Sequence, residues 1–349
     1  MISLNELLGI DHSIIQAPMA GAQGSAMAIA VSNAGALGSL PAAMLSSETL
    51  GRELTAIRAG TARPYNVNFF CHTPAAPDPE REARWRQTLA PYYAEFGLDP
   101  AQAGGGPNRA PFSREVADVV ERYRPPVVSF HFGLPDAELV SRVKRWGAKV
   151  MSSATTVEEA RWLEAHGADI IIAQGVEAGG HRGMFLTEDV DTQMGTFALL
   201  PQVVQAVKAP VVAAGGIADA QGVTAALALG AAGVQLGTAF LLTPESTITA
   251  VHRKALQTAQ GRPTALTNLY SGRPARGLKN RLMRELGPIS PLAPAFPTAS
   301  AALAPLRAAA EHRDDDGFSP LWCGQNLSGC FALSAAEVIG RLVRPAGLN

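Results

Sequence analysis

The sequence predicts an α/β fold, a (β/α)8 TIM barrel with a smaller, mostly helical cap. Three observations predict it. Eight short apolar runs follow one another through the first 236 residues, without the polar alternation of a half-exposed sheet. Amphipathic, helix-length stretches lie between them. The first unit lacks the G-x-G-x-x-G turn of a dinucleotide-binding open sheet, the competing α/β arrangement, and eight is the strand count of the closed barrel.

Taken in chain order, the predicted strands are 14–17, 36–40, 65–69, 127–130, 148–152, 169–173, 210–214 and 233–236. Helices are expected at 156–166, 197–207 and 219–229, among others. Ser and Thr residues ahead of Val157-Glu158-Glu159 read as a helix start with an acidic first turn. Gly147-Ala148, Gly167-Ala168 and Gly230-Ala231 repeat one device, a glycine ending a helix and an alanine opening the next strand. The barrel is expected over 1–241, interrupted after the third strand by a Pro-, Ala- and Gly-rich insertion at about 72–112 that holds Gly104-Gly105-Gly106-Pro107. Residues 242–332, with Pro288, Pro291, Pro294 and Pro297, read as a helical cap over the barrel mouth. Residues 333–349 contribute a last helix at 335–343 that docks back on the barrel.

Composition excludes several function classes. The chain has 349 residues, 47% of them hydrophobic, and a formal net charge of −1, which gives nucleic acid or an anionic membrane no electrostatic foothold. Three cysteines, Cys71, Cys323 and Cys330, form neither an even set nor a C-x-x-C pair, so neither a disulfide framework nor a cysteine zinc site is expected. The first residues lack the basic start and apolar run of a signal peptide, and no stretch has the roughly 18 to 20 apolar residues of a membrane span. A cytoplasmic protein is expected, with a homodimer among the assemblies open to it. Cys71-His72 has no further metal ligands at suitable spacing, and Asp314-Asp315-Asp316 reads as a solvated loop.

Such barrels hold ligands at the carboxyl ends of their strands. The seventh strand ends in Gly215-Gly216, and the eighth in Gln235-Leu236-Gly237-Thr238. Backbone amides at such turns can face a phosphate, and Thr238 adds a hydroxyl donor. Each turn alone could be a tight connection; together, on the last two strands, they predict a phosphate site. Without G-x-x-x-x-G-K-[ST], a mononucleotide such as FMN, or a sugar phosphate, remains. Ala17-Pro18-Met19 after the first strand offers a rigid backbone platform, while Asn68 and Gln174 offer amides for a flavin edge, or else satisfy local backbone. After the sixth strand, Gly179-Gly180 lets the loop fold close over a ligand and brings His181 to the mouth. There it would take a proton or present a positive charge to an anion, unless it is merely an exposed loop residue. His131 at the end of the fourth strand lines the substrate pocket or bonds structurally. His12, His166, His252 and His312 read as surface residues.

These residues resemble class I nitronate monooxygenases, formerly called 2-nitropropane dioxygenases. The resemblance runs through Ile15-Gln16-Ala17-Pro18-Met19-Ala20-Gly21, the strand end at Asn68, Ser152-Ser153-Ala154-Thr155-Thr156, Gln174 through Gly183, the two glycine turns and Leu321-Trp322-Cys323-Gly324-Gln325. The Ala178-Gly179-Gly180-His181 segment is its most specific piece. The resemblance implies a non-covalent FMN and oxidation of alkyl nitronates by O2 to a carbonyl compound and nitrite, by one-electron transfer and a flavin semiquinone. It makes His181 the active-site histidine, His131 a pocket residue, and Asn68, Gln174, Gly179, Gly216 and Gln235 to Thr238 FMN contacts. Residues 289–304 match the family's lid loosely: they hold Phe296 and no tyrosine. The alternatives are an NAD(P)H-dependent reductase of quinones or enoyl thioesters on the same barrel, and a flavin- or sugar-phosphate-binding protein without turnover.

Overall fold

The computed structural model describes residues 3–100 and 109–344, so Gly104-Gly105-Gly106-Pro107 lies outside the described residues. The strands are β1 (Ile14–Gln16), β2 (Gly38–Pro41), β3 (Tyr65–Phe70), β4 (Val127–His131), β5 (Lys149–Ala154), β6 (Ile170–Gln174), β7 (Gly180–His181), β8 (Val211–Ala214), β9 (Gly233–Leu236), β10 (Thr264–Thr267) and β11 (Ala275–Leu278). The helices are α1 (Leu4–Leu8), α2 (Ser25–Asn33), α3 (Ser47–Gly60), α4 (Pro79–Phe96), α5 (Arg114–Tyr123), α6 (Ala137–Arg145), α7 (Val157–Ala165), α8 (Thr196–Ala206), α9 (Ala220–Ala228), α10 (Ala250–Gln257), α11 (Arg281–Leu286), α12 (Ala299–His312) and α13 (Ala335–Leu342).

Eight parallel strands form one sheet in the order β1-β9-β8-β6-β5-β4-β3-β2. A parallel bridge between Ile15 and Leu37 closes it into a barrel. The apolar runs conceal a period of two. Ile15, Ile170, Ile172 and Val212 join Leu4 and Leu8 of α1 in one cluster. Ile14, Ile171 and Val211 belong to a second cluster shared with the surrounding helices. Each strand is thus buried on both faces, which is why the sequence shows continuous runs.

Local signals set the helix ends. The Thr156 hydroxyl accepts the amide of Glu159 and starts α7, and Asp219 does the same for α9 through Gly222. Gly147, Gly167 and Gly230 all have φ near +95°, at +94°, +100° and +96°, where a side chain would be strained. α13 buries Val338, Ile339 and Leu342 against the barrel helices. No described helix is long and apolar enough to cross a membrane.

Chain outside the barrel gathers over its mouth. Trp85 and Tyr93 of α4 pack with Leu282 of α11, Leu303 and Leu306 of α12, and Phe318. The Tyr93 hydroxyl donates to the Ala302 carbonyl at 2.6 Å. This part is not helical throughout. β10, β11 and β7 form an antiparallel three-stranded sheet that the sequence reading does not contain. Its strands are two to four residues long, too short for a period of two to stand out. The acidic run is only partly solvated, since Asp316 pairs with Arg262 at 2.6 Å.

Candidate active site

A cavity of about 270 Å³ opens at the carboxyl ends of the barrel strands. Every residue singled out in the sequence for a ligand or catalytic role borders it. Gly215, Gly216 and Gln235 to Thr238 lie along the ends of β8 and β9. Ala17, Pro18 and Met19 follow β1, with Asn68 from β3 and Gln174 from β6. Gly179, Gly180, His181 and His131 complete the set.

The glycine turns have distinct physical reasons. Gly215 and Gly216 adopt φ of +111° and +74°, a region that L side chains rarely enter. Gly179 is fixed by crowding instead, because a Cβ there would stand 2.5 Å from the Cys323 carbonyl carbon. The segment after Trp322 closes this end. The Gly324 amide donates to Thr238 Oγ1 at 2.9 Å, which leaves the Thr238 hydroxyl proton free to donate. The Gln325 amide donates to the Glu177 carbonyl, and Asn326 Nδ2 to the Gly216 carbonyl, both at 2.9 Å.

The amides divide their work. Asn68 Nδ2 donates to the hydroxyl of Ser129 at 3.0 Å and to its carbonyl at 3.3 Å, so the amide oxygen is the group left for a ligand. Gln174 donates to the His181 carbonyl at 3.0 Å and accepts the Gly183 amide at 2.7 Å, so both ends of its side chain hold the loop it precedes. Gln235 Oε1 is buried and has no donor among the described residues.

His181 does not sit on a free loop. Gly180 and His181 form β7 and pair with Arg276 and Ala275 of β11. The next residue, Arg182, is 1% exposed and stitches the turn together. Its guanidinium donates to the carbonyls of Gln174 at 2.6 Å and Gly175 at 2.7 Å, and to Gln193 Oε1 at 2.9 Å. The imidazole of His181 is 2.8 Å from the Ser271 hydroxyl through Nε2. Burial, then Arg109, His131, Arg273 and His72, hold it well below its usual 6.5, so it is neutral at neutral pH.

His131 has both ring nitrogens engaged. The His181 carbonyl can only accept, so His131 Nε2 donates to it at 3.2 Å and Nδ1 takes the Ser153 hydroxyl proton at 3.1 Å. Burial lowers its pKa to about 4. The residue that follows, Phe132, is a non-glycine residue at φ +68° beside these rings.

One expectation is corrected here. His252 is not a surface residue: it is 8% exposed, borders the cavity from α10, and its buried Nε2 has no partner among the described residues. The reading missed it because α10 belongs to the segment that folds over the mouth, where distance from a strand end says nothing about burial.

Sequence reasoning also passed over Ser271, Arg109 and Arg273. Arg109 borders the cavity, with its Cζ 5.6 Å from the Phe296 ring centre. Arg273 stands 4.5 Å over Phe132 and donates to the Met184 carbonyl at 3.2 Å. No motif or periodicity marks any of the three; only the tertiary fold brings them to His181.

Comparison with known proteins places the chain among relatives of one family. The family model described as nitronate monooxygenase matches residues 2–344. The nitronate monooxygenase of Pseudomonas aeruginosa is 43% identical over 97% of each chain. That of Paraburkholderia phytofirmans is 41% identical over 98% of this chain and 94% of its own. The solved structure of a nitroalkane oxidase from Streptomyces ansochromogenes superposes with a TM-score of 0.88 at 39% identity, covering 97% of this chain and 96% of that one.

Proposed function

Because the chain belongs to the nitronate monooxygenase family, we propose that it oxidises alkyl nitronates, propionate 3-nitronate among them, with O2 to a carbonyl compound and nitrite, using a non-covalently held FMN. The observation that carries this reading is that the two strand-end glycine turns and a rigidly held, neutral His181 border one cavity.

The residues present fit a flavin mononucleotide. Positive-φ glycines at 215 and 216 bring backbone close to a phosphate, and Thr238 has a hydroxyl proton to give it. The orphaned Oε1 of Gln235 and the amide oxygen of Asn68 suit N–H donors on a ring edge. When bound, FMN supplies the one-electron redox chemistry that the side chains lack.

The protein's own part is small, because a nitronate is already a carbanion equivalent. Phe70, which borders the cavity, and Phe132 and Phe296 crowd His181 at ring-centre distances of 5.5 to 6.3 Å and limit water around it. Neutral His181 can accept a proton from a nitroalkane presented in its uncharged form. The strand pairing of β7 and the grip of Arg182 fix where that imidazole stands.

An anaerobic titration of the purified yellow protein tests the reading. Propionate 3-nitronate is expected to convert the visible spectrum of the oxidised flavin to that of a one-electron-reduced one, and air to restore it with release of nitrite. Bleaching by NADH and no such conversion by nitronate would replace it with a reductase.

A further inference from the structure

We infer that Arg109 is the residue that takes the charge of the nitronate, its guanidinium fork pairing with the two planar oxygens of the substrate's nitronate group. The inference deepens the function proposed above and rests on it.

A nitronate brings one negative charge into a cavity whose histidines supply none. Burial holds both His181 and His252 neutral. Two guanidinium groups border the cavity, Arg109 and Arg307. The charge of Arg307 is already met, since its Nε lies 2.8 Å from Glu311 Oε1. Arg109 has no such partner: no ion pair among the described residues includes it, and the adjacent residues 101–108 carry no acidic side chain. Its Nη1 is buried without an acceptor among the described residues. A desolvated cation with an unsatisfied donor is costly unless an anion completes it. Burial and Arg307 lower its pKa only to about 10, so it keeps its charge at neutral pH.

Position selects the anion. Arg109 Cζ is 5.6 Å from the centre of the Phe296 ring, and the His181 ring is 5.5 Å from that same centre. The guanidinium and the imidazole thus both stand against one aromatic ring and both border the cavity, so a substrate held there faces both. A nitronate has two coplanar oxygens sharing its charge, the geometry that a guanidinium matches with two parallel hydrogen bonds. Arg109 and His181 thus have separate duties, anion binding for the one and proton acceptance for the other.

The test compares holoenzyme of wild type, Arg109→Gln, Arg109→Met and Arg109→Lys. Nitrate, a planar oxyanion that does not turn over, is titrated against the flavin absorbance. Steady-state KM is measured for ethyl nitronate and for neutral nitroethane. Loss of a charge-assisted pair is expected to weaken nitrate binding and raise the nitronate KM by about ten- to a hundredfold in Arg109→Gln and Arg109→Met. Arg109→Lys recovers part of the loss, and the nitroethane KM moves less than about twofold on the same reasoning, because no charge is lost. Equal nitrate affinity and nitronate KM in wild type and either neutral variant, at full flavin content, would overturn the inference, as would nitrate binding that survives in every variant. If the neutral variants do not fold, Arg109→Lys decides: an unchanged nitronate KM counts against a bidentate role, and a several-fold rise supports it. A wild type that consumes no O2 with any nitronate removes the proposed function instead, and the nitrate titration then judges the anion site by itself.

Discussion

At the residue scale, His181 has its Nε2 against Ser271 and its ring packed against Phe296 and Trp322. Its carbonyl accepts from Gln174 and His131. Backbone and ring are fixed by different partners, so a side-chain substitution leaves the loop in place. His181→Asn is therefore expected to retain its flavin while turnover of a neutral nitroalkane falls about 10²- to 10⁴-fold, the worth of a positioned base. A preformed nitronate needs no deprotonation and should lose less. Stopped-flow reduction with each form measures the difference, and rates equal to wild type would remove His181 from the chemistry. Gly216 poses a backbone question. At φ +74° a β-branched side chain is strained, whatever the space beside it, and the turn would shift. Gly216→Val is expected to weaken FMN binding by about five- to a hundredfold, given a strain cost of order 1–3 kcal/mol. Fluorescence titration of the apoprotein with FMN reads this directly, and full occupancy would place the phosphate elsewhere.

At the element scale, the turn from β6 through β7 into the Arg182 cradle carries the site. Arg182 is buried, and its donors satisfy two carbonyls and one amide oxygen. Burial and Arg276 lower its pKa to about 9, still above neutral pH. Arg182→Met leaves those acceptors unpaired, so a stability loss of about 3 kcal/mol is expected together with a fall in kcat/KM as His181 loses its register. Denaturant unfolding and initial rates check the two halves; a stable variant with normal rates would show that β11 alone positions the loop. This turn also marks what the sequence could disclose. Gly179-Gly180-His181 was legible as a ligand loop because two glycines after an apolar run suit a close approach. Its pairing with β11 was not, since Ala275 and Arg276 lie more than ninety residues on and a two-residue strand has no pattern of its own. The eight barrel strands were legible because burial on both faces leaves an unbroken apolar run. The same logic found Gln235 and Thr238 and missed Arg109, Ser271 and His252, which approach from the cap, where no strand end points to a site.

At the scale of the whole molecule, barrel and cap hold several histidines in the uncharged form, and this couples stability to pH. His72 is 4% exposed and His252 is 8% exposed. Burial first, then Arg273 and Arg109 for His72, lowers its folded pKa to about 4. Burial, then Arg307, does the same for His252. In the unfolded chain both titrate near 6.5. Between those values the unfolded chain binds protons that the folded one refuses, so stability rises with pH. The contribution of each is complete above about pH 6.5 and is lost as the pH falls toward 4, at about 1.4 kcal/mol per pH unit and about 3 kcal/mol in all. The carboxyl groups of Glu95 and Glu285, held low mainly by Arg281, titrate below 4.5. They add to the loss only there, so the interval from pH 7 to 5 isolates the histidines. Urea unfolding at fixed excess FMN is expected to give a midpoint that drops steadily across that interval. In His252→Gln the drop is shallower, because one of the refused protons is gone. A midpoint independent of pH between 7 and 5 would mean that these imidazoles reach water or a proton acceptor in solution, against the burial of His72 and His252.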